Sequence, residues 1–282
     1  MWSSPSRQTT RRAYSDSIMV CLITSSSIDP IAADDAGQDS YPQATISEDL
    51  GVRYLHLGTE WIQGAMCIRK PDAIELEYVQ QMMMWMLFEQ HPHHVVQLGL
   101  GSGALTKFCY RHFPEARVTA IELNPSVIRI CESMFGLPPN DDRLHVIRMN
   151  ALDFVSDSNN HGTIDVIQVD LYDENARGPV LDTPEFYQAC ADCLTVDGMM
   201  TINLFGDDAS HEESLKAMQP AFDAVAWLPE VHEGNIVGIA FKRAPVIDFS
   251  ALYERASAIR INMNLPAKSW VNGLKIWMRD GE

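Results

Sequence analysis

The chain has 282 residues, enough for one large α/β domain or for a domain with a small appendage. Its formal net charge of −17 repels nucleic-acid phosphates and anionic membrane surfaces, and no apolar run approaches the roughly 20 residues that span a bilayer. We therefore expect no nucleic-acid partner and no membrane association; the negative charge suits solubility and is also compatible with a cationic substrate.

The first 40 residues carry few apolar side chains and no recognisable period, so we predict a flexible N-terminal tail over residues 1–40. Six cysteines are scattered along the chain without a disulfide framework, which favours a reducing, cytoplasmic location. Cys190 and Cys193 form a CxxC inside a segment of helical periodicity, and we interpret them as structural. The HPHH sequence at residues 91–94 has no clear carboxylate or cysteine ligand beside it, so we predict no metal site.

Residues 41–92 are predicted to form a small β region followed by a linking helix. The segments ATISED, VRYLHL and WIQGAMCI alternate apolar and polar residues and are punctuated by glycine, which is typical of short antiparallel strands. Pro71 and Asp72 then mark the start of a helix predicted to run to about Glu89.

From residue 93 to residue 245 the chain alternates strand and helix patterns. Strands are predicted at residues 95–98, 117–122, 143–148, 164–169 and 198–203. Helices are predicted at residues 104–113, 125–135, 184–194 and 209–222. This order favours an α/β fold, a doubly wound and mostly parallel sheet of the Rossmann-like type with helices on both faces.

Two more apolar runs, at residues 224–228 and 236–242, predict an antiparallel end to that sheet. Residues 246–282 are predicted to form a helical extension, with helices near residues 248–260 and 266–278. The extension carries Trp270 and Trp277, and its apolar face is expected to pack on the domain or on a partner subunit.

The most informative segment is the glycine-rich turn after the first of these strands. Gly99, Gly101 and Gly103 follow an apolar run and precede a predicted helix, and Glu122 ends the next predicted strand about twenty residues on. That layout is typical of a nucleoside-binding half, in which the acidic residue accepts hydrogen bonds from ribose hydroxyls. No Gly-Lys-Ser/Thr sequence follows the turn, so a phosphate-binding P-loop is not expected.

Polar residues follow four of the predicted strands. In open α/β sheets the ligand lies beyond the carboxyl ends of the strands, so these residues are candidates for one crevice. They are residues 99–103, Glu122, residues 150–151 and residues 170–173. Asp170 follows a buried-looking strand, where a carboxylate can hold an amine and take its proton. Taken alone, the same pattern also fits a turn cap at Asp170 and a solvated Asp173.

Several segments resemble the spermidine synthase (polyamine aminopropyltransferase) family over more than half of the chain. They are QGAM at 63–66, ELEY at 75–78, VVQLGLGSGAL at 95–105, IELNPSVI at 121–128, MNALDF at 149–154, IDVIQVDLYD at 164–173 and the run at 178–204. The resemblance implies a Rossmann-like methyltransferase-type fold, a homodimer and no permanently bound cofactor. It also implies that an amine attacks decarboxylated S-adenosylmethionine as co-substrate, which gives a longer polyamine and methylthioadenosine.

The resemblance also implies a set of nucleoside-binding residues. The glycine loop would line the nucleoside, Glu122 would hold the ribose hydroxyls, and Gln63 would cover the ligand from the small β region. The loop residues are Gly99, Gly101, Ser102 and Gly103. The residues implied to meet the adenine are Asn150 and Ala151.

For the acceptor amine, the resemblance implies that Asp170 receives the proton, while Tyr78 and Asp173 help to seat the substrate. This chain departs from the family pattern at Ser102, where the glycine loop usually carries an aspartate that anchors the aminopropyl ammonium. It also departs at Asn150, where the family often has aspartate. An S-adenosylmethionine-dependent methyltransferase on the same fold and a non-catalytic nucleoside-binding protein are therefore open alternatives.

Overall fold

The computed structural model describes residues 41–175, 177–206, 208–230 and 235–280. The tail predicted at residues 1–40 lies outside these residues. Among the helices that the described residues form, none combines the length and apolarity needed to cross a membrane.

A three-stranded antiparallel sheet opens the described chain, as the alternating pattern predicts. Its strands, in spatial order, are β1 (Ala44–Asp49), β2 (Val52–Leu57) and β3 (Gly64–Cys67). Leu55 and Met66 are buried in one cluster with Leu100 and Phe135, so the small sheet packs over the segment that carries the glycines. This packing makes the small sheet a cover for one side of the larger domain.

The helix predicted over residues 71–89 is wrong in extent and in type. Only α1 (Glu77–Gln81) is α-helical, and a 3₁₀ turn, Met82–Leu87, follows it. Every residue of that turn is buried. The side chains of Gln168 and Thr201 both donate hydrogen bonds to the carbonyl oxygen of Met82. Two side chains of the larger sheet donate to this one carbonyl oxygen, and the whole turn is buried. These tertiary contacts therefore override the helical period of the sequence.

In the described part of the chain the larger sheet has seven strands, and its order confirms the predicted doubly wound, mostly parallel architecture. In chain order they are β4 (His94–Leu98), β5 (Arg117–Glu122), β6 (Leu144–Arg148), β7 (Ile164–Val169), β8 (Leu194–Phe205), β9 (Ala224–Trp227) and β10 (Asn235–Phe241). In space they run β6-β5-β4-β7-β8-β10-β9, and β10 is antiparallel to both neighbours. The chain winds outward from β4 through β5 to β6 and returns to β7, so the direction of winding switches between β4 and β7. Ligands of such sheets bind at this switch point.

The helices around this sheet, except for one short helix, lie close to the predicted positions. They are α2 (Ala104–His112), α3 (Pro125–Met134), α4 (Ala151–Ser156), α5 (Pro184–Cys193), α6 (Asp208–Met218), α7 (Phe249–Met263) and α8 (Ala267–Asp280). The short α4 was not predicted, because six residues are too few to show a helical period. Cys190 and Cys193 are buried free thiols of α5, in the position expected of structural cysteines.

The two C-terminal helices pack on the domain itself. Trp270 is fully buried in the same cluster as Trp85 and Leu228. The ring of Trp277 meets Trp227 edge to face, with centroids 5.4 Å apart. The sequence left open whether these helices pack on the domain or on a partner subunit, and the described residues show packing on the domain.

The backbone of Asp170, directly after β7, leaves no room for a side chain at residue 99, which follows the neighbouring strand β4. Gly99 has φ +92°, and a Cβ there would lie 2.1 Å from the carbonyl oxygen of Asp170. Gly162 also has a positive φ, of +67°, but a Cβ there would meet nothing within 4 Å. A substitution at Gly162 therefore measures the cost of the backbone conformation alone. A substitution at Gly99 adds the cost of the clash with Asp170.

We expect Gly99→Ala to destabilise the protein more than the matched control Gly162→Ala. The control should lose about 1–2 kcal/mol, because an L-residue is strained in the left-handed region. Gly99→Ala should lose about 1–3 kcal/mol more, because the backbone at Asp170 must also move. Urea denaturation measures both free energies of unfolding, and equal losses would contradict the crowding described here.

Candidate active site

A cavity of about 610 Å³ opens at the carboxyl ends of the central strands, beneath the edge of the small sheet. Its size is typical of a small-molecule site. The residues that line it are Leu55, Leu57, Glu60, Trp61, Ile62, Gln63, Tyr78, Gly99, Gly101, Ile121, Glu122, Leu123, Val127, Met149, Asn150, Ala151, Asp170, Leu171, Tyr172, Val180, Leu181, Asn203, Phe205 and Asn235. The structure therefore brings together residues 99, 101, 122, 150, 151 and 170, as well as Gln63 and Tyr78 from outside the larger sheet.

Glu122 joins the glycine turn to the end of β5. One carboxylate oxygen accepts a hydrogen bond from the backbone N–H of Leu100 at 3.0 Å, and the other accepts from Asn124 at 2.8 Å. Burial raises the pKa of this carboxyl above its ordinary value, although the backbone donors oppose that effect. The side chain thus fixes the turn and also presents an acceptor to the cavity.

Ser102 and Gly103 lie behind the turn and are not among the lining residues. Ser102 is 4% exposed, and its hydroxyl donates to the carbonyl oxygen of Ala65 in β3 at 3.2 Å. Gly103 precedes the first residue of α2 and faces Leu137. Ser102 therefore fastens the small sheet to the turn, and this orientation could not be read from the spacing of the glycines.

Asn150 and Ala151 line the cavity at the start of α4. The side-chain oxygen of Asn150 accepts a hydrogen bond from the backbone N–H of Leu152 at 2.8 Å, which caps the helix. The exposed side chains of Leu123 and Met149 lie on the same side of the cavity. This end of the cavity thus offers apolar surface beside one amide group.

Asp170 lies at the opposite end, directly after β7. Its Oδ1 accepts a hydrogen bond from the Asn203 side chain at 3.0 Å, and the Tyr78 hydroxyl also donates to the carboxylate. Burial raises the pKa of Asp170 to about 6, and the two donors hold it below the value that burial alone would give. A carboxyl group with a pKa near neutrality is suited to accept a proton from a substrate.

Three polar lining residues were missed by the sequence analysis. They are Glu60, Asn203 and Asn235, whereas Tyr172 falls within the predicted residues 170–173. The Tyr172 hydroxyl donates to the backbone oxygen of Asn203 at 2.8 Å, and the Asn235 side chain donates to the side-chain oxygen of Asn203 at 2.9 Å. The sequence did offer one signal for Asn203, which is the only amide in the apolar run TINLF at residues 201–205. A buried polar residue in a central strand needs hydrogen-bond partners, so it indicates a polar cluster or a site.

Two loops meet across the mouth of the cavity. Asp173 is not a lining residue, because its carboxylate accepts hydrogen bonds from the backbone N–H groups of Asn175 and Arg177, both at 2.8 Å. The Gln63 side chain donates to the backbone oxygen of Asp173 at 3.0 Å, and the Thr59 hydroxyl donates to that of Glu174 at 2.7 Å. Asp173 therefore orders its own loop, and two residues of the loop between β2 and β3 hold it over the cavity.

The charges of the cavity are all negative. Among the lining residues in the described part of the chain, Glu60, Glu122 and Asp170 are acidic, and none is lysine or arginine. Apolar side chains, including the half-exposed Trp61 and Val180, make up much of the remaining surface. Such a cavity favours a ligand that carries positive charge beside an apolar body.

Comparisons with known proteins identify the family. The model of the spermine/spermidine synthase domain matches residues 76–250. The polyamine aminopropyltransferase of Chromobacterium violaceum is 30% identical over 239 residues, which cover 84% of this chain and 91% of that protein. The human eEF1A lysine and N-terminal methyltransferase is 25% identical over 195 residues, which cover 64% of this chain but 27% of that protein.

The fold is also similar to that of solved structures. A probable spermidine synthase from Corynebacterium glutamicum superposes with a TM-score of 0.66 at 18% identity, covering 87% of this chain and 95% of that one. The relatives named polyamine aminopropyltransferases are transferases. Since the family match spans more than half of the sequence, this chain belongs to the spermine/spermidine synthase family of transferase enzymes.

Proposed function

We propose that this protein transfers an aminopropyl group from decarboxylated S-adenosylmethionine to a putrescine-like amine and releases methylthioadenosine. The observation that carries this proposal is a cavity lined by three carboxylates and, among the described residues, by no lysine or arginine. Both substrates are cations, and each loses favourable hydration when it enters the cavity. Fixed negative groups compensate for that loss.

The nucleoside occupies the end of the cavity formed by the glycine turn and β5. Glu122 accepts hydrogen bonds from the ribose hydroxyls, because its carboxylate is held in place by two backbone donors and faces the cavity. The adenine lies between apolar side chains near Asn150 and Ala151, with Gln63 covering the nucleoside from the small sheet. The sulfonium then points toward Asp170, which follows β7 on the other side of the glycine turn from β5.

The chemistry requires a free amine, because an alkyl ammonium has no lone pair with which to attack. Asp170 takes the proton, and the amine nitrogen attacks the propyl carbon next to sulfur in line with the leaving group. A carbon–nitrogen bond forms as the carbon–sulfur bond breaks, and the bonding electrons return to sulfur, which becomes a neutral thioether. Tyr78 donates to the Asp170 carboxylate and lines the same end of the cavity, where it orients the acceptor amine.

Asp173 acts on the acceptor indirectly in this proposal. Its carboxylate orders the loop at the cavity mouth, and Gln63 and Thr59 hold that loop closed. Closure excludes water from the reacting amine and the sulfonium. The expected role of Asp173 in seating the amine thus becomes one of positioning the loop.

Methyl transfer from intact S-adenosylmethionine is the second candidate. Two observations favour it: the anionic anchor of the family pattern is replaced by the buried Ser102, and a related human protein is a methyltransferase. Intact S-adenosylmethionine, however, carries a carboxylate, and no cation among the described lining residues would pair with it. The aminopropyl donor is therefore favoured.

A non-catalytic nucleoside-binding protein is the third alternative. The hydrogen bonds from Asn203 and Tyr78 to the buried carboxylate of Asp170 argue against it, because a protein that only binds a nucleoside needs no such group.

We also propose a cytoplasmic homodimer in which residues 93–245 form the catalytic domain, residues 41–92 its cover and residues 246–282 a helical extension. Five cysteines of the described chain are free thiols, which supports a reducing compartment. The dimer rests on the family resemblance alone.

We expect Asp170→Asn to lower single-turnover formation of methylthioadenosine by about 10²–10⁴-fold, because a positioned base contributes that much to rate. The nucleoside affinity should change little, since Asp170 lies at the acceptor end. The assay supplies decarboxylated S-adenosylmethionine with putrescine, spermidine or agmatine. Asp142→Asn, which removes the same charge from an exposed position, should retain the wild-type rate.

Two outcomes of this assay would count against the proposal. Failure of the wild type to form methylthioadenosine with any of the three amines would contradict the aminopropyl reaction. Equal rates for wild type and Asp170→Asn would remove Asp170 from the role of base.

The same substitution should stabilise the fold at neutral pH. Because the pKa of Asp170 is about 6 in the folded protein and 3.8 as a model value, the folded state binds more protons between these pH values. The contribution of Asp170 to stability therefore falls as pH rises from about 4 to about 6 and stays low above that. Asp170→Asn should raise the free energy of unfolding by up to about 3 kcal/mol at pH 8 and by little at pH 4, in urea denaturation. An equal increase in the free energy of unfolding at pH 8 and pH 4 would contradict a raised pKa for Asp170.

A further inference from the structure

Asn203 and Asn235 lie on one face of the antiparallel pair formed by β8 and β10. In the register of these strands Asn203 is opposite Val237, and Asn235 is opposite Phe205. Residues two apart on a strand share a face, so Asn203 and Asn235 are diagonal neighbours. Both line the cavity beside Asp170.

Their side chains form a directed chain of hydrogen bonds that ends on the carboxylate. The Asn235 side-chain nitrogen donates to the side-chain oxygen of Asn203 at 2.9 Å, and the Asn203 side-chain nitrogen donates to Asp170 Oδ1 at 3.0 Å. An ionised carboxylate only accepts, so the amide nitrogen of Asn203 must face Asp170. The amide oxygen then faces away and needs a donor, which Asn235 supplies.

Burial makes the orientation of the Asn203 amide consequential. The residue is 2% exposed, and its backbone oxygen is held by the Tyr172 hydroxyl at 2.8 Å. The amide therefore has two orientations with similar shape: one points its nitrogen at Asp170, and the flipped one points its oxygen there. The flipped orientation sets an acceptor against a carboxylate, which is unfavourable in a dry site. The donor from Asn235 selects the first orientation.

We propose that Asn235 is a positioning residue that acts through Asn203 to orient and stabilise the carboxylate of Asp170 for proton transfer. This inference rests on the proposed role of Asp170 as base. Asn235 itself takes no proton and forms no bond in the reaction. Its contribution is to keep the only side-chain amide that reaches Asp170, among the described residues, turned in the productive direction.

A pH profile distinguishes this role from a merely structural one. The Asn203 donor lowers the pKa of Asp170, so its loss raises that pKa. The titratable groups facing Asp170 in the described part of the chain are the phenols of Tyr78 and Tyr172, from α1 and from the loop after β7. Burial raises the pKa of both phenols well above 10, so neither titrates between pH 5 and pH 9. Glu122 lines the same cavity and also has a raised pKa, but it has no contact with Asn235, so the shift of the acidic limb between the variants and the wild type reports Asp170.

The test compares Asn235→Leu and Asn235→Asp with the control Asn272→Asp. Leucine removes the donor at similar size, and aspartate replaces it with an acceptor of the same shape. Asn272 lies on α8, where its side-chain oxygen accepts from the Tyr253 hydroxyl, and aspartate keeps that acceptor. Two readouts are taken: the single-turnover rate of methylthioadenosine formation from pH 5 to pH 9, and the carboxyl pKa of Asp170 by ¹³C NMR of aspartate-labelled protein.

For Asn235→Leu we expect the acidic midpoint to rise by about one pH unit, with about a tenfold lower rate below the wild-type midpoint and recovery above about pH 8. Asn235→Asp should move the midpoint at least as far, and the control should match the wild type. The NMR pKa of Asp170 should rise in parallel. Because two variants remove the donor differently, failure of one to fold leaves the other as the test.

An unchanged Asp170 pKa in a folded Asn235 variant, or a rate lowered equally at every pH, would overturn the inference. The NMR measurement needs no turnover, so this result is separate from the failure of the proposed function. A wild type that makes no methylthioadenosine contradicts the proposed reaction, whereas an unshifted Asp170 contradicts only the role of Asn235.

Discussion

The rest of the site depends on the burial of one carboxylate at the end of β7. Removing Asp170 from water raises its pKa to about 6, and donors from Tyr78 and Asn203 limit the rise. With burial alone the group would hold its proton near neutral pH; with full solvation it would be too weak a base to deprotonate an ammonium. The balance needs burial and fixed donors together, and the Asn203 side chain, held in turn by Asn235, is one of those donors.

The burial of Asp170 depends on the small sheet and the loop after β7, which together cover the cavity. The small sheet is fastened to the glycine turn through Ser102, and the loop after β7 is fastened to the small sheet through Gln63 and Thr59. These contacts use backbone carbonyl oxygens as acceptors, so none of them occupies a carboxylate that lines the cavity. Ser102 thus has a structural use in this chain, and the negative charge of the cavity comes from Glu60, Glu122 and Asp170.

The sequence predicted the parts of the fold that local pattern determines. Strands β5 and β7 were predicted with their observed bounds, because each is a short apolar run with turn residues at its carboxyl end. The 3₁₀ turn at Met82–Leu87 was missed because tertiary hydrogen bonds to one carbonyl decide it. The pairing of Asn203 with Asn235 depends on the register of two strands about thirty residues apart, which no local pattern encodes. For the same reason Glu122 and Asp170 were predicted as cavity residues, whereas Asn203 and Asn235, which form hydrogen bonds around Asp170, were not.

The central claim is that a cavity whose described lining residues carry carboxylates and no lysine or arginine favours the donor without a carboxylate. It is tested most directly by calorimetric binding of decarboxylated and intact S-adenosylmethionine to the wild-type protein. The two ligands differ by one carboxylate, so the comparison isolates the charge of the cavity. The account predicts at least about tenfold tighter binding of the decarboxylated ligand at low salt, because the extra carboxylate meets acidic groups and no paired cation. Equal or tighter binding of intact S-adenosylmethionine would contradict the account and favour methyl transfer.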